Sequence, residues 1–509
     1  MRHFAGLSGW TCDGTHDLCP NGQRIAQSAP THEIETEEKQ LTGGANQDHV
    51  MRSIAVVGAG IAGMSTALLL ARLGLAVDLF ERDATSLSED NPVNTRRGAP
   101  QSSHPHVFLG YFRKLLRENL PDVFAELGAM GIREYSFHPE AQPAADRDPD
   151  LVMMAATRGA IERALTKVVE VEPGISFRKS ISIEDVIRDE RTCQLALAIH
   201  GTGESHQGYD LVVDASGARS RWNRKMLDTV TSADCGTVYN TRFFRLPDGG
   251  EQPELRYGTV TVVDAFAYGA ALFQHEDGIF SIDIARLPGD RGLYRLRENE
   301  CFDAAAAVFT EFKPWLGQIG CRAITNATPM AGLRNVIRRL ASSAPAGYVP
   351  IGDGICTTDP TYGRGVALAL GQAVMLRDRM ADRDLPLLST PGQNRVFVDD
   401  LGAYVRPWYD DVVEQDIGRT KLRVAAIRGE DPMSIIQDMP LNPFMLIDTE
   451  SEDPELGLLA RQYVSMLSPR MDAPDIDSRA AKLARSAATK HHWAPVAPSY
   501  EELVAAVNH

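Results

Sequence analysis

The sequence has little that would cross-link the chain or hold it in a membrane. Its seven cysteines are an odd number, and no two share the close spacing of a zinc site, so neither a metal centre nor a disulfide framework is indicated. No run of about 18 uncharged apolar residues occurs, which predicts no transmembrane helix. The first residues also lack the apolar stretch of a secretory signal. A reducing cytoplasm is therefore the expected location.

Basic residues are scarce relative to acidic ones. The chain has 52 Lys and Arg against 68 Asp and Glu, a formal charge of −16 at pH 7. Nucleic acid binding needs clustered cations that replace phosphate counterions, and anionic membranes attract polybasic segments. This balance argues against both partners. With 43% hydrophobic and 24% charged residues over 509 positions, the composition is that of a soluble globular protein of more than one domain.

The first 50 residues differ from the rest of the chain. They are rich in small polar residues, carry an acidic patch at residues 33–38, and show no lasting hydrophobic period, so disorder is expected there. Met51 is a candidate natural start, which would make this segment an upstream extension. The alternative is a short regulatory leader.

A strand–helix–strand unit follows. Residues 54–57 are an all-apolar run typical of a buried parallel strand, residues 61–73 have helical periodicity that ends at Gly74, and residues 76–80 form a second strand. Helices are predicted over 107–130, divided at Pro121, and over 157–169; further buried strands are predicted over 209–214 and 348–351. Residues 236–290, including the runs 255–263 and 278–285, alternate as in an antiparallel sheet.

Three glycines stand between the first strand and the first helix, in the order Gly58, Gly60 and Gly63. The first suits a tight turn, the second lets a pyrophosphate approach the backbone, and the third lets the helix pack closely on the sheet. The N-terminus of the helix offers free N–H groups and a partial positive charge to phosphates. The alternative is a glycine-rich turn without a ligand.

An acidic residue completes this pattern. Glu81 lies 23 residues after Gly58, at the end of the second strand. Its carboxylate can accept both ribose hydroxyls and would repel a 2′-phosphate, which favours FAD or NAD over NADP. The candidate cofactor-binding residues of this unit are Gly58, Gly60, Ile61, Ala62, Gly63, Glu81 and Arg82.

A second glycine-rich stretch follows the strand at 348–351. Asp353 would accept hydrogen bonds from flexible polyol hydroxyls such as a ribityl chain. Pro360, Gly363 and Gly365 precede a helix whose positive end would face a flat ring. A simple loop, with Asp353 as a cap, is the alternative. Arg158 starts another predicted helix, where a cation is unfavourable unless an anion lies nearby; a solvated surface arginine is the alternative.

These stretches together resemble the flavoprotein monooxygenases of the para-hydroxybenzoate hydroxylase fold over about residues 51–380. The resemblance implies that Asp353 belongs to the family's Gly-Asp motif, that Arg158 contacts FAD, and that Arg97 and Gly98 cross near the flavin. His104 and His106 would line the substrate cavity or serve as packing residues.

One motif departs from this family. Ser216 stands where single-component hydroxylases carry an Asp used for FAD and the nicotinamide cofactor. Similar strings occur in styrene-epoxidase-like enzymes, which receive reduced FAD from a separate reductase. The cofactors implied are therefore FAD, with NAD(P)H used directly or through a flavin reductase.

The resemblance implies an α/β fold with a Rossmann-like FAD-binding domain of the GR2 type, an antiparallel-sheet substrate domain and a C-terminal helical region. The expected boundaries are 51–225 with 340–382, then 226–339, then 383–509. The implied activity is transfer of one oxygen atom from O₂, through a flavin C4a-hydroperoxide, to a small apolar or aromatic molecule. Epoxidation and hydroxylation both stay open, and no catalytic residue is assigned.

Other functions remain as alternatives. A flavin-dependent double-bond reductase or dehydrogenase would use the same fold, and a non-catalytic flavin-binding protein is a third possibility. A halogenase is disfavoured because the Trp-x-Trp-x-x-Pro string of that family is absent. Tyr257, Phe266, Tyr268, Phe273 and Phe280 are candidate apolar residues of a substrate site, or ordinary core residues.

Overall fold

The computed structural model describes residues 53–84, 93, 99–137, 147–220, 222–382, 388, 390–431, 434–435, 446–447, 452–469, 475–476, 478–480, 483 and 497–509. The predictions of disorder over residues 1–50 and of Met51 as a start lie outside these residues. No helix among them is long and apolar enough to cross a membrane.

The described strands are β1 (Ser53–Val57), β2 (Ala76–Glu81), β3 (Arg133–Ser136), β4 (Val152–Ala155), β5 (Ile175–Lys179), β6 (Ile183–Arg188), β7 (Leu195–Ile199), β8 (Ser205–Tyr209), β9 (Leu211–Asp214), β10 (Leu227–Asp234), β11 (Val238–Arg245), β12 (Val260–Ala265), β13 (Tyr268–Gln274), β14 (Ile279–Arg286), β15 (Arg322–Ala323), β16 (Thr328–Met330), β17 (Arg334–Leu340), β18 (Tyr348–Pro350) and β19 (Cys356–Thr357). The described helices are α1 (Ile61–Ala71), α2 (Gly110–Asn119), α3 (Pro121–Ala129), α4 (Arg158–Val171), α5 (Asn223–Met226), α6 (Asn299–Ala307), α7 (Lys313–Leu316), α8 (Gly365–Ala381), α9 (Pro391–Ile427), α10 (Pro454–Val464) and α11 (Tyr500–Asn508).

A five-stranded parallel sheet forms the first layer, in the order β18-β9-β1-β2-β5. The chain leaves β1 toward β2 and β5 on one side, and returns to β9 and β18 on the other side. The strand order therefore reverses between β1 and β9, which is where doubly wound sheets bind ligands beyond the carboxyl ends of the strands. The buried residues of β1 are apolar throughout, as a sheet covered on both faces requires.

The second layer is an antiparallel sheet in the order β12-β13-β14-β11-β15, with β16 also paired to β11. One face packs on α6, α7 and α11 through a core that includes Phe244, Phe280 and Trp315. Because side chains alternate along each strand, Tyr239, Thr241 and Asp283 belong to the opposite face. One face thus forms an apolar core, whereas the opposite face buries polar side chains such as Thr241.

The mixed α/β fold predicted from the sequence is confirmed, although some details were wrong. The strand expected from residue 255 begins only at β12, because Gly258 has φ +70° and the N–H of Tyr257 donates to Val260 in a turn. Tyr268 and Phe280 are fully buried in the core under α6, so they belong to the packed face of the sheet rather than to a substrate site. The three-stranded sheet β6-β7-β8 was not anticipated.

Helices dominate the described part of the C-terminal region, as expected. The longest is α9, which continues through Pro407 and packs against β17, β18, β19 and α8. Through these contacts the C-terminal region reaches the parallel sheet and the strands next to the second glycine-rich stretch.

Candidate functional site

The first glycine turn lies at the point where the strand order reverses. Gly58 has φ +101°, and a side chain there would meet the Ala215 carbonyl oxygen, which follows β9, at 2.6 Å. A Cβ on Gly63 would lie 1.8 Å from the Gly58 carbonyl oxygen, so the predicted close packing is confirmed. A Cβ on Gly60 would contact only the Arg158 guanidinium, at 3.7 Å. The turn is therefore open on the side that faces the Arg158 guanidinium.

Main-chain N–H groups hold Glu81 against the same turn. Its carboxylate accepts a hydrogen bond of 2.8 Å from the N–H of Ala59 and another of 2.8 Å from the N–H of Asp83. The structure thus brings Glu81 beside the glycine turn, as the spacing predicts. Arg82 lies differently, because 57% of its side chain is exposed and it only approaches Asp83 at 3.5 Å.

The N-terminus of α1 has no side-chain cap. Gly60 is the N-cap residue, and Ile61 and Ala62 open the helix without any side chain accepting from its first N–H groups. These groups and the helix dipole are a ready site for an anion. Ala62 also lies against Gly352, where a Cβ would come within 3.3 Å of it, so the two glycine-rich stretches meet here.

Arg158 begins α4 beside this turn. Its Nε donates to the buried carboxylate of Glu162 at 2.9 Å, and Nη1 lies 3.4 Å from His106 Nε2. The anion that the sequence predicts near Arg158 is therefore present as a side chain one turn along the helix. Thr157 caps the helix, and Glu276 accepts from both its N–H and its hydroxyl, which ties α4 to the antiparallel sheet.

Asp353 lies in a 3-10 turn after β18. Gly352 precedes it with φ +61° and donates its N–H to Gln372 at 2.7 Å. Burial raises the pKa of Asp353, whereas Arg158 and Arg338 lower it. Among the described residues the Asp353 carboxylate accepts no hydrogen bond. The side chain is partly accessible, so its carboxylate is open to an outside donor, which a polyol would supply.

The second glycine stretch ends in a turn over Pro360–Tyr362 and the start of α8. Gly363 has φ +68°, and a Cβ there would touch Val107 at 3.4 Å, whereas one on Gly365 would meet nothing within 4 Å. The loop through Val107 and the N-terminus of α8 therefore face each other. Arg97 and Gly98 lie outside the described residues.

Arg364, between these glycines, was missed by the sequence reasoning. It is 1% exposed and donates to Asp411 of α9 at 2.6 Å, and its guanidinium lies over the rings of Trp408, Tyr463 and Tyr362 at 4.9, 5.4 and 5.6 Å. The arginine therefore joins the second glycine stretch to the C-terminal helices. No local pattern indicates it, because its carboxylate partner is 47 positions away.

A second buried ionic cluster lies under the same stretch. Asp359, Asp416 and Cys235 bring their ligand atoms within 4.8 Å of one another, the spacing of a possible metal site. Arg419 already donates to Asp359 at 2.5 Å and to Asp416 at 2.7 Å. This guanidinium holds the pKa of Asp359 low against the effect of burial. It therefore supplies the positive charge that the two carboxylates require.

Ser216 lies directly after β9. Its N–H donates to Asp214 Oδ1 at 2.9 Å, its hydroxyl donates to the same oxygen, and Tyr348 donates to Oδ2 at 2.6 Å. Burial raises the pKa of Asp214, whereas these hydrogen bonds lower it. The Ser216 side chain is thus committed to a buried carboxylate and offers no charge of its own.

The geometry fits a dinucleotide that also carries a polyol and a ring. An uncapped helix N-terminus, a carboxylate fixed beside it, an unpartnered carboxylate and a glycine-opened loop lie in sequence around the end of the parallel sheet. Residues 53–174 match the family model described as FAD dependent oxidoreductase. This match covers β1 through α4. The chain thus contains an FAD-dependent oxidoreductase domain over these residues, and this domain supports an enzymatic activity.

Two curated relatives are similar to this chain in sequence, one over most of its length and the other over about a third of it. "Protein Rv3254" of Mycobacterium tuberculosis is 26% identical over 391 residues, which are 68% of this chain and 76% of that protein. Kynurenine 3-monooxygenase of Salinispora arenicola is 28% identical over 180 residues, which are 34% of this chain and 37% of that protein. The second similarity thus spans little more than a third of that enzyme.

Solved structures share the fold over most of the chain. p-Nitrophenol 4-monooxygenase PnpA from Pseudomonas putida DLL-E4 has a TM-score of 0.54 at 13% identity, covering 82% of this chain and 99% of that one. The flavin-dependent brominase Bmp2 also has a TM-score of 0.54, at 14% identity, covering 86% of this chain and 98% of that one. The predicted resemblance to the para-hydroxybenzoate hydroxylase fold is confirmed, and the fold serves more than one flavin chemistry.

Proposed function

We propose that this protein is an FAD-dependent monooxygenase that transfers one oxygen atom from O₂ to a small apolar or aromatic molecule. The observation that carries the proposal is the convergence of the Gly58–Gly63 turn, Arg158, Asp353 and the Gly363–Gly365 loop at one end of the parallel sheet. A kynurenine 3-monooxygenase among the relatives supports oxygenation over halogenation.

Each part of the cradle has a distinct role in this proposal. The N–H groups of Ile61 and Ala62 bind the pyrophosphate, and the absence of a side chain at Gly60 leaves room for it. Glu81 accepts from the adenosine ribose, with its orientation fixed by Ala59. Arg158 adds positive charge beside the phosphates.

The ring side of the cradle is built from the second glycine stretch. Asp353 accepts hydrogen bonds from the ribityl hydroxyls, and its unpartnered carboxylate supports that role. Pro360, Gly363 and Gly365 present backbone and the N-terminus of α8 to the ring edge. Bound FAD supplies the redox chemistry and the activation of O₂. The protein positions the substrate and excludes water.

The proposed FAD-binding residues also include three with less support, namely Arg82, Arg97 and Gly98. Arg82 follows Glu81 but points largely to solvent, so its contribution is at most peripheral. The role of Arg97 and Gly98 near the flavin rests on the sequence resemblance. The proposed domain boundaries stay at 51–225 with 340–382, 226–339 and 383–509.

The electrons are proposed to come from a separate flavin reductase. Ser216 is bound to Asp214 and lacks the charge that would help hold a nicotinamide cofactor. Loss of one charged hydrogen bond weakens binding by about 1.5–3 kcal/mol, or roughly ten- to a hundredfold. We expect slow reduction of the FAD-loaded protein by NADH or NADPH in anaerobic stopped-flow. Rapid bleaching by either cofactor would contradict the two-component proposal and restore direct use of NAD(P)H.

Oxygen transfer is tested with isotopically labelled dioxygen. The FAD-loaded protein receives reduced FAD from a flavin reductase and a panel of apolar and aromatic compounds, and products are read by mass spectrometry. We expect one labelled oxygen atom in the product. A product that has gained two hydrogens and no label would instead identify a double-bond reductase. Gly60→Val, which is expected to lose FAD, is the matched control.

A further inference from the structure

Two largely buried ion pairs attach the second glycine-rich stretch to α9, and they run in opposite directions. At the start of the stretch, the carboxylate of Asp359 accepts from Arg419 of α9 at 2.5 Å. At its end, Arg364 donates to Asp411 of α9 at 2.6 Å. Asp411 and Arg419 lie about two turns apart along the helix. Residues 359–364 are therefore fixed to α9 at both ends.

An aromatic cage surrounds the two guanidinium groups. The ring of Tyr362 lies 5.6 Å from Arg364 and 5.5 Å from Arg419. Arg364 also lies over Trp408 of α9 and Tyr463 of α10, at 4.9 and 5.4 Å, and these two rings are 5.6 Å apart. Arginine is weakly hydrated and stacks on aromatic faces, which makes it the cation best suited to such a cage. Through Tyr463, the cage includes α10 as well as α9.

The loop that faces this stretch is attached to α10 as well. Ser465, which directly follows α10, accepts a hydrogen bond of 3.0 Å from the N–H of Tyr111 in the first turn of α2. A Cβ on Gly110 would lie 3.4 Å from Ser465 Cβ, so the packing here is close. Val107, just before α2, is the residue that a Cβ on Gly363 would touch. The end of α10 thus contacts both sides of the space in front of α8.

Two glycines make the end of the stretch adaptable. Gly363 has φ +68°, and a Cβ on Gly365 would meet nothing within 4 Å. The N–H of Gly363 closes a short turn onto Pro360 at 3.0 Å, and α8 begins two residues later. Glycine restricts the backbone less than any other residue. Because these glycines add few restraints of their own, the links of Asp359 and Arg364 to α9 define where the N-terminus of α8 lies.

We propose that the two ion pairs and the aromatic cage make α9 and α10 part of the cofactor site, so that binding of the FAD ring and packing of these helices stabilise each other. The inference rests on the proposed function, in which residues 360–365 face the ring. A ligand that binds one conformation of this stretch stabilises it, and whatever holds that conformation strengthens binding by the same factor. Asp359 and Arg364 are positioning residues, since their side chains contact α9.

Only one half of the cofactor reaches this stretch. In the proposed function, the Gly58–Gly63 turn and Glu81 bind the pyrophosphate and the adenosine, whereas the second glycine stretch faces the ring. ADP contains the adenosine and the pyrophosphate without the ribityl chain or the ring, so it occupies only the first part of the cradle. Comparison of ADP with FAD therefore isolates the ring side. It also separates failure of this inference from failure of the cofactor assignment.

The first test uses the wild-type protein. Amide hydrogen exchange of the full chain is followed by mass spectrometry without ligand, with ADP and with FAD. We expect both ligands to slow exchange at residues 58–63, and FAD alone to slow it in α10 and around Asp411. FAD that protects residues 58–63 and leaves α10 unchanged overturns the coupling, as does ADP that protects α10 as strongly as FAD. No protection of residues 58–63 by either ligand would overturn the cofactor assignment and the inference with it.

The second test uses variants of the cage. Tyr463→Leu removes one ring from Arg364 and leaves the pair with Asp411 in place, whereas Arg364→Lys keeps the charge and loses the planar group that stacks. We expect each variant to weaken FAD binding by at least about fivefold, the lower end of typical coupling between sites, and to change ADP affinity by less than about twofold.

Two control variants accompany this test. Tyr463→Phe keeps the ring over Arg364, and Arg406→Ala removes an exposed cation from α9, so both should leave the FAD and ADP affinities within about twofold of wild type. A merely structural role of the cage would weaken both ligands alike. Equal losses of FAD and ADP affinity in Tyr463→Leu and Arg364→Lys therefore overturn the positioning role, and so does unchanged FAD affinity in both.

Discussion

The parallel and antiparallel sheets of this protein differ in the kind of group that they bring together. At the end of the parallel sheet the converging groups are largely main-chain, namely the turn at Gly58, the uncapped start of α1 and the loop at Gly363. On the antiparallel sheet they are side chains, such as Thr241 and Asp283, held in register by strand pairing. The first kind of site requires glycines, which have no side chain, whereas the second requires particular polar side chains.

This difference governs what a substitution does. Adding atoms to the glycine turns fills space that backbone or cofactor requires, so the effect is steric. Removing atoms from the side-chain networks leaves polar groups without partners, so the effect is electrostatic. The predictions below separate these two kinds of effect, beginning with the largest.

Gly63→Val should be the most damaging substitution. Its Cβ would lie 1.8 Å from the Gly58 carbonyl oxygen, so α1 would have to move away from β1. Because the obstructing atom is main-chain, we expect a loss of stability of at least about 5 kcal/mol, beyond the roughly 1–3 kcal/mol typical of overpacking. Gly60→Val should retain the stability of the FAD-free protein and lose FAD. Thermal unfolding and flavin absorbance measure the two effects. Equal stability of the two variants would contradict the packing role of Gly63.

Arg364→Ala should show the largest electrostatic effect. It removes a buried cation from Asp411 and from three aromatic rings, and breaking such a pair costs about 3–5 kcal/mol. Arg406→Ala is the control on α9, the helix that carries Asp411, since Arg406 and Asp410 are both more than half exposed and should contribute at most about 1 kcal/mol. Chemical denaturation compares them. Similar losses in both variants would mean that α9 is not fixed through Arg364.

The contrast between the two sheets also explains what the sequence could predict. Gly63 packs on Gly58 and Glu81 accepts from Ala59 within one strand–helix–strand unit, so spacing alone could predict these contacts. The buried ion pairs that span many positions could not be found in this way, although Arg419 also pairs with Asp416 three positions away. Arg364 pairs across 47 positions and Arg419 across 60, and nothing local marks either partner.

Alternation along the antiparallel strands was informative only in part. The alternation predicts a sheet. It does not show which face is packed, because both faces of these strands carry apolar and aromatic residues. The alternation therefore makes Phe280 a candidate substrate contact, whereas in the structure α6 and α7 cover it. The polar partners on the other face, Thr241 and Asp283, are 42 positions apart and meet only through strand pairing.

Asp353→Asn should have opposite effects on FAD binding and on stability. The variant loses charged hydrogen bonds to the ribityl chain, so FAD affinity should fall by about 1.5–3 kcal/mol. Because burial raises the pKa of Asp353 in the folded state, its ionisation lowers stability as pH rises above about 3.9, the unfolded value. The FAD-free variant should therefore be more stable than wild type at neutral pH, with a smaller difference in acid. Denaturation at several pH values tests this sign.

Arg82→Ala should have the smallest effect, and it tests where the cradle ends. The side chain follows Glu81 in sequence, yet 57% of it is exposed and its neighbour Asp83 is 3.5 Å away. Exposed substitutions of this kind change stability by no more than about 0.5 kcal/mol. FAD affinity, measured by fluorescence titration, should also change by less than about threefold, equivalent to the same energy. Glu81→Gln is the comparison, because it replaces the carboxylate that Ala59 holds at the turn with a neutral amide. If Arg82→Ala weakened FAD binding as much as Glu81→Gln, the cradle would extend past the end of β2 into the loop that follows it.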